Sequence, residues 1–341
     1  MRKLLNTLYV TAQGAYLSKE RESLVVSVAR EVRLRVPIHT LDGVICFGNV
    51  LCSPFLLGFC AEKNVEVSFL TAHGRFLTRV SGPVSGNVLL RRRQYRAADD
   101  EAASADIARS CLIGKVANSR TVLQRFLRDH DGGDEKVRQA AARLKNSLDR
   151  LNERQTVDEL RGVEGDCGRE YFAVFGNIIN NRSGDFGFET RSRRPPLDNM
   201  NALLSFLYTL LAHDTRSALE SVGLDPAVGF LHRDRPGRYG LALDMMEEFR
   251  PVLADRTALS LVNLKIVSGD GFRKTESGAV VMDDDTRKKV LKAWQERKKD
   301  EIVHPFINEK ISIGLLPFVQ SLLLARHLRG YLEAYPPFIW R

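Results

Sequence analysis

The sequence predicts an α+β protein: a small, sandwich-like N-terminal β-sheet domain followed by a larger, mainly α-helical C-terminal domain. Apolar residues alternate with polar ones from Asn6 to about Val80, which is the period of a half-buried strand. Further on they recur at helical spacing, and a stretch with glycines, a proline and clustered arginines separates the two regimes.

The strand pattern is clearest where Val32, Leu34, Val36 and Ile38 alternate with Arg33, Arg35 and Pro37, and where Val65, Val67 and Phe69 alternate with Glu66 and Ser68. One short helix is expected between them over Ser53 to Asn64. Ser53 can cap it, Pro54 suits its first turn, and Leu56, Phe59 and Cys60 share a face. The segment Ser81 to Gly86, the triple Arg91, Arg92, Arg93 and the polar run Arg96 to Ser104 mark the change of regime. The expected division is an N-terminal β domain over 1–95, a linker over 96–104 and a helical domain over 105–341. In the latter, Val137, Ala141, Leu144, Leu148 and Leu151 form one buried stripe, and Ile107 to Leu127 reads similarly. Val267 to Met282 carries Gly269, Gly271 and Ser277-Gly278 and is expected to form a small hairpin. The helix after it opens on Asp283, Asp284 and Asp285 and closes on Arg297, Lys298 and Lys299, matching the helix dipole at both ends.

A chain of 341 residues, 44% hydrophobic and 27% charged, can bury two cores, and its composition excludes disordered and collagen-like classes. No apolar run reaches the roughly 18 to 20 residues that span a bilayer, and Met1 to Leu17 lacks the apolar core of a secretory signal, so a cytosolic protein with no membrane partner is expected. The five cysteines, Cys46, Cys52, Cys60, Cys111 and Cys167, are odd in number, never occur as C-x-x-C and mostly have apolar neighbours, as reduced buried thiols do. The formal net charge of +9 points to a polyanionic partner, and arginine outnumbers lysine, which favours bidentate phosphate contacts.

Glu164, His232 and Glu247 lie in apolar-flanked segments, and two carboxylates with an imidazole are a ligand set for a divalent metal beside a phosphodiester. On a helix, Glu164 of LRGVEGDCGREYF shares a stripe with Leu160, Cys167, Gly168 and Tyr171. A carboxylate on a buried stripe requires a cation or a strong hydrogen-bond partner, and an ion pair with Arg161 or Arg169 is the alternative to a metal. Gly162 and Gly165 weaken that helix and imply close approach of another backbone or a ligand. In the second segment, Asp244, Glu247 and Glu248 fall on one helical turn before Pro251, where they repel unless a cation is present. His232 stands upstream of a Pro-Gly turn that can fold its imidazole back onto this acidic face. A satisfied core histidine is the competing reading. Oxygen-rich ligation with one nitrogen suits Mg²⁺ or Mn²⁺ rather than Zn²⁺.

Three stretches, LRGVEGDCGREYF, RSRRPPLDNMNALLSFLYTLL at 191–211 and GFLHRDRPGRYGLALDMMEEFRP at 229–251, closely resemble the CRISPR-associated integrase and endonuclease family, the catalytic subunit of spacer acquisition. The resemblance covers essentially the whole chain. It implies a dimer-forming N-terminal β domain and a helical catalytic domain, with the metal held by Glu164, His232 and Glu247. Asp244 matches a family acid beside the site and is assigned as a supporting ligand or a group that orients the ligands from behind; some members carry Asp at the position of Glu247, so either Asp244 or Glu247 makes the direct bond.

The resemblance further implies transesterification: the 3′-hydroxyl of a short DNA fragment attacks a phosphodiester at the edge of a CRISPR repeat, with Mg²⁺ or Mn²⁺ polarising the phosphoryl oxygen. Double-stranded and branched DNA, a second copy of the chain, and a small dimeric CRISPR-associated partner bridging two dimers are the implied partners. Activity should fall at acid pH, because the ligands must be deprotonated. Arg191, Arg193 and Arg194, next to Pro195 and Pro196, are the first candidates for phosphate contact. Arg91, Arg92, Arg93 and the Lys288, Lys289, Lys292 face follow, with a solvated basic surface as their alternative. Tyr171 and Tyr208 could stack on bases or belong to the core. Two other functions compete: a structure-selective nuclease of branched DNA, and a non-catalytic DNA-binding scaffold.

Overall fold

Alternating apolar residues build eight short strands in the N-terminal region of this computed structural model. It describes residues 7–340 except 42, 64, 73–75, 81, 83–87, 131–133, 154 and 181–183. Strands β1 (Thr7–Val10), β2 (Ala15–Glu20), β3 (Ser23–Val28), β4 (Glu31–Pro37), β5 (Gly43–Phe47), β6 (Val50–Cys52), β7 (Glu66–Leu70) and β8 (Phe76–Val80) form two four-stranded sheets, ordered β1-β5-β7-β8 and β4-β3-β2-β6. Helix α1 (Pro54–Glu62) connects the parallel strands β5 and β7, together with β6. Its cap is the expected one, the Leu56 N–H donating to Ser53 Oγ over 3.1 Å. Val44, Cys46 and Val67 of one sheet, Leu17, Leu24 and Val26 of the other, and Leu56, Phe59 and Cys60 of α1 share one core.

Strand β4 departs from the half-buried expectation. It is the edge of its sheet, and Val32 and Leu34 are 57% and 43% exposed. Its alternation is real, but its residues reach past the core that β2 and β3 cover.

In the helical region come α2 (Val88–Asp99), α3 (Glu101–Asp129), α4 (Glu135–Arg150), α5 (Val157–Ala173), α6 (Asn199–Ser221), α7 (Gly240–Met246) and α8 (Arg256–Asn263). The expected hairpin is β9 (Phe272–Lys274) with β10 (Val280–Met282), and α9 (Asp284–Lys299) follows it. A second hairpin, β11 (Glu301–Val303) with β12 (Lys310–Ser312), leads to α10 (Leu316–Leu328). Helix α3 packs against α4 and α5. Val137, Ala140, Ala141 and Leu144 are the buried face of α4, as its spacing predicts.

The chain divides into Met1–Ser85 with Asp283–Lys298, and Gly86–Met282 with Lys299–Arg341. This differs from the expected division in three respects, the first being that the β unit ends at Ser85 and not at residue 95. Residues 96–104 are not a linker: α2 and α3 run through them, interrupted only at Asp100, which caps α3 by accepting the Ala103 N–H over 2.9 Å. A polar segment rich in alanine is a good helix former, so its polarity marks a solvated helix face and not a break. The segment Ser81 to Gly86 lies outside the described residues except for Gly82. Helix α9 joins the β unit although it is far along the chain: Val290 and Trp294 are fully buried, and the Arg287 guanidinium donates to the Ala72 carbonyl.

Candidate metal centre

The position of Glu164 is set by the start of α5. Thr156 and Glu159 form a reciprocal cap, in which the Thr156 N–H donates to Glu159 Oε2 (2.8 Å) and the Glu159 N–H to Thr156 Oγ1 (3.3 Å). Leu160, Cys167 and Tyr171 are buried on the stripe that carries Glu164, whose side chain keeps 30% exposure. Its partner is neither Arg161 nor Arg169, which pair with Asp158 and Asp166. It is Lys115 of α3, whose ammonium bonds Glu164 Oε1. Gly162, Gly165 and Gly168 have no protein atom within 4 Å of where a Cβ would stand. The close backbone approach expected of Gly162 and Gly165 therefore does not occur, and this face of α5 is bare.

His232 is held by α7. A Cβ on Gly229 would stand 2.6 Å from the Gly240 carbonyl carbon and 2.8 Å from Asp244 Oδ2, so the segment before His232 lies directly on the first turn of α7 only because both residues lack side chains. Fully buried Asp244 then accepts the N–H groups of Phe230 (2.6 Å), Leu231 (3.0 Å) and His232 (3.0 Å). It also accepts from His232 Nδ1 over 2.6 Å. This fixes the imidazole's tautomer and leaves Nε2 as the ring nitrogen able to ligate. Buried Gln94 of α2 fastens the preceding loop, donating to the carbonyls of Asp225 (2.7 Å) and Val228 (2.9 Å).

Glu247 follows the last residue of α7. Pro251 would ordinarily stop a helix before it, but here it occupies the first turn of a wider helical segment, Arg250–Asp255, that runs into α8. That turn brings Arg250 Nη1 to 2.8 Å from Glu247 Oε1, while Lys115 Nζ stands 2.8 Å from Oε2. Burial alone would push the Glu247 carboxyl up, but Arg250 first and Lys115 next outweigh it and hold it at about 2. For Lys115, burial opposes the charge, and Glu247 and Glu164 more than restore it, raising the ammonium above its usual value.

The three acids expected to crowd one turn separate instead. Asp244 serves the 230–232 backbone and Glu247 faces two cations. Glu248 points away, accepting from Phe338 N–H (2.7 Å), Tyr335 Oη (2.7 Å) and Gln320 Nε2 (3.1 Å). Burial pushes Glu248 up to about 8 against those bonds. Burial likewise raises Asp255 to about 6, although it accepts from Tyr208 Oη over 2.7 Å.

Thus Glu164 and Glu247, distant in sequence, share one ammonium. Among the described residues, no three His, Cys, Asp or Glu side chains close around a single point as they stand, because Lys115 lies between the carboxylates. The donor set itself fits a hard divalent cation: two carboxylates, one almost fully buried, and an imidazole with a fixed tautomer. A small cavity of about 30 Å³ opens beside Glu164, lined by Lys115, Glu164, Arg193, Tyr208, Arg250 and Asp255 among others.

Of the basic residues singled out from the sequence, Arg193 is exposed and lines this cavity, and Arg194 is exposed next to it in sequence. Arg191 is half-buried and engaged, donating to Asn201 Oδ1 (2.7 Å) and Ser205 Oγ (3.1 Å). Arg91, Arg92 and Arg93 lie on α2, where Arg93 donates to the Arg329 carbonyl. Tyr171 is core, and Tyr208 lies with the Arg250 guanidinium 5.0 Å from its ring centre. Sequence reasoning missed Lys115 and Arg250. The signal for Lys115 was its place on the buried stripe of α3, four residues after Cys111 and four before Ser119; for Arg250 it was the i,i+3 spacing from Glu247.

No helix among the described residues is long and apolar enough to cross a membrane. Residues 8–296 match the family model described as CRISPR associated protein Cas1. The chain is 54% identical over its whole length to CRISPR-associated endonuclease Cas1 1 of Chlorobaculum tepidum, and 53% identical to CRISPR-associated endonuclease Cas1 2 of Rhodospirillum rubrum, each relative being matched in full. Its fold is that of a casposase solved bound to integration product (TM-score 0.84, 23% identity, 98% of this chain and 94% of that one). It is equally that of a Cas1 protein from Thermotoga maritima (TM-score 0.81, 23% identity, 95% of this chain and 97% of that one). A β unit with two sheets, a helical unit in which two distant glutamates meet on one lysine, and the family and full-length matches agree: the chain belongs to the CRISPR-associated Cas1 family.

Proposed function

We propose that this protein is a divalent-metal-dependent DNA endonuclease and integrase that inserts short foreign DNA fragments into a CRISPR array, the 3′-hydroxyl of a fragment attacking a phosphodiester at a repeat edge. The observation that carries this reading is the meeting of Glu164 and Glu247 on one ammonium, with His232 held at Nδ1 by Asp244 so that Nε2 is left to ligate. Glu164, Glu247 and the Nε2 of His232 would hold Mg²⁺ or Mn²⁺. When bound, such an ion supplies Lewis-acid polarisation of a phosphoryl oxygen. Asp244 acts through His232 by orienting its ring. Arg193 and Arg250, on the wall of the adjoining cavity, offer guanidinium groups to phosphate oxygens.

The partners belong to the same reading: DNA, a second copy of the chain, and a small dimeric CRISPR-associated protein that bridges two dimers. The pairing register puts Val32, Ser27, Tyr16 and Leu51 in one row across the second sheet, and Val32, Tyr16 and Leu51 are 57%, 45% and 62% exposed. An exposed apolar row of this kind supports self-association through the β unit. One solved structure with this fold is a Cas6-RT-Cas1–Cas2 complex, which supports a second CRISPR protein as partner here.

The test is joining of a 3′-hydroxyl DNA end into a repeat-containing plasmid. Joining is expected with Mg²⁺ or Mn²⁺, and is expected to vanish with chelator and in Glu164→Ala or His232→Ala. Unchanged joining in those variants contradicts the assignment. Cleavage of forks without joining, with or without the partner, would make the protein a structure-selective nuclease instead.

A further inference from the structure

The two carboxylates assigned to the metal are bridged in this structure by a cation the protein itself supplies. Lys115 leaves α3 between buried Gly114 and buried Val116, so its Cα is fixed while its four-carbon arm can turn. The ammonium bonds Glu164 Oε1 and stands 2.8 Å from Glu247 Oε2, with only 12% of the side chain exposed. Glu247 divides its oxygens: Oε1 is held by Arg250 at 2.8 Å, whereas Oε2 faces Lys115. Removing the ammonium would leave Glu247 oriented by Arg250 and free at Oε2. The cavity of about 30 Å³ beside Glu164 and Arg193 has Lys115 itself in its wall and is large enough for a group the size of an ammonium.

We infer that Lys115 is a resident counter-cation of the metal position: it keeps Glu164 and Glu247 together in the metal-free protein, and a divalent ion binds by displacing its ammonium into the adjoining cavity. This rests on the metal-centre reading proposed above. Two charges of one sign cannot share this oxygen pair in a mostly buried place, so lysine and metal bind the carboxylates in competition. The lysine removes the cost of two facing carboxylates before metal arrives, and sets a threshold that a weakly bound ion does not cross. Lys115 is therefore a positioning residue whose loss should tighten metal binding; loss of a merely structural residue would weaken it or leave it unchanged.

Two measurements on the full chain without DNA test this. Mn²⁺ titration followed by electron paramagnetic resonance compares the wild type with Lys115→Met and with Lys115→Gln, which retains hydrogen-bonding capacity without charge. The expected result is a dissociation constant lower in the variants by on the order of tenfold or more, with a larger Mn²⁺-induced rise in melting temperature. In the wild type, reductive methylation read by mass spectrometry should label Lys115 faster once Mg²⁺ is added. Equal or weaker Mn²⁺ binding in the variants, or Lys115 labelling that Mg²⁺ leaves unchanged, overturns the displacement while leaving the metal centre standing. Absence of Mn²⁺ binding in wild type and variants alike overturns the metal centre and the displacement together.

Discussion

His232 Nδ1 lies 2.6 Å from Asp244 Oδ1, and the same buried carboxylate accepts three successive backbone N–H groups, including that of His232 itself. Ring and backbone are thus tied to one group. Asp244→Asn keeps the volume but replaces one acceptor oxygen by a donor facing N–H groups. It is expected to weaken Mn²⁺ binding by roughly 10- to 100-fold, the usual effect of losing the carboxylate behind a ligating histidine. Strand joining should fall with it, and Asp244→Ala should also unfold earlier in urea. Unchanged Mn²⁺ binding in Asp244→Asn would show that the ring is held by something else.

The carboxylates on either side of Lys115 differ in what they hold up. Glu247 is 2% exposed and faces both Lys115 and Arg250, so Glu247→Ala leaves two buried cations short of their counter-charge. The expected loss of stability is about 3–5 kcal/mol. Glu164 is 30% exposed and faces Lys115 alone, which keeps Glu247, so Glu164→Ala is expected to cost about 1 kcal/mol or less. Urea denaturation of the two variants measures the difference. It also makes Glu164→Ala the cleaner probe of activity, since its loss of joining would not be a loss of fold.

What the sequence disclosed and what it hid follow from the range of the forces involved. Ser53 as a cap, the stripe of α4 and the hairpin before α9 are local, readable from spacing within a few residues, and the structure has them. The expected grouping of Glu164, His232 and Glu247 rested on matching motifs and not on local pattern, and the lysine that two of them share was not announced by any motif. The fates of Asp244, Glu247 and Glu248 were not legible, because their partners come from five different segments: backbone at 230–232, Lys115, Arg250, Gln320 and the 335–338 stretch. The same holds for α9: Trp294 is fully buried, and Arg287 finds its partners more than 200 residues earlier, donating to the Ala72 carbonyl and standing over the Phe47 ring.

Asp255 gives a pH dependence whose sign can be worked out. Burial raises its carboxyl from 3.8 to about 6. The folded protein therefore binds more protons than the unfolded chain between those values, and its stability falls as pH rises from about 4 to about 6, then levels. Two pH units correspond to about 3 kcal/mol for a group this deeply buried. Asp255→Asn keeps an oxygen for the Tyr208 hydroxyl and has no proton to lose. Its stability relative to the wild type should therefore be higher at pH 7 than at pH 4, by up to that amount. Parallel urea curves at the two values would rule out the raised carboxyl. Glu247 acts in the opposite sense and in a lower window: held at about 2, it contributes stability above its ordinary 4.5 that is lost as pH falls towards 2.

The glycine that opens GFLH is required by contact and not by turn geometry. Gly229 has an ordinary backbone, yet a Cβ there would meet Gly240 at 2.6 Å, Asp244 Oδ2 at 2.8 Å and the Leu241 N at 2.9 Å, two of them backbone atoms that cannot swing away. Gly229→Ala must therefore lift the 229–232 segment off α7, lengthening the bonds to Asp244 that fix His232. Overpacking of this kind costs about 1–3 kcal/mol, and the displaced imidazole should lower Mn²⁺ affinity as well. At Gly162, where no protein atom lies within 4 Å, alanine meets nothing and improves helix propensity, so Gly162→Ala is expected to stabilise the fold by up to about 1 kcal/mol. Urea denaturation and Mn²⁺ titration of the two variants side by side separate the cases: Gly229→Ala loses on both measures, and Gly162→Ala gains on the first and keeps the second. Equal stability for Gly229→Ala and the wild type would mean that the segment carrying His232 is free to slide on α7.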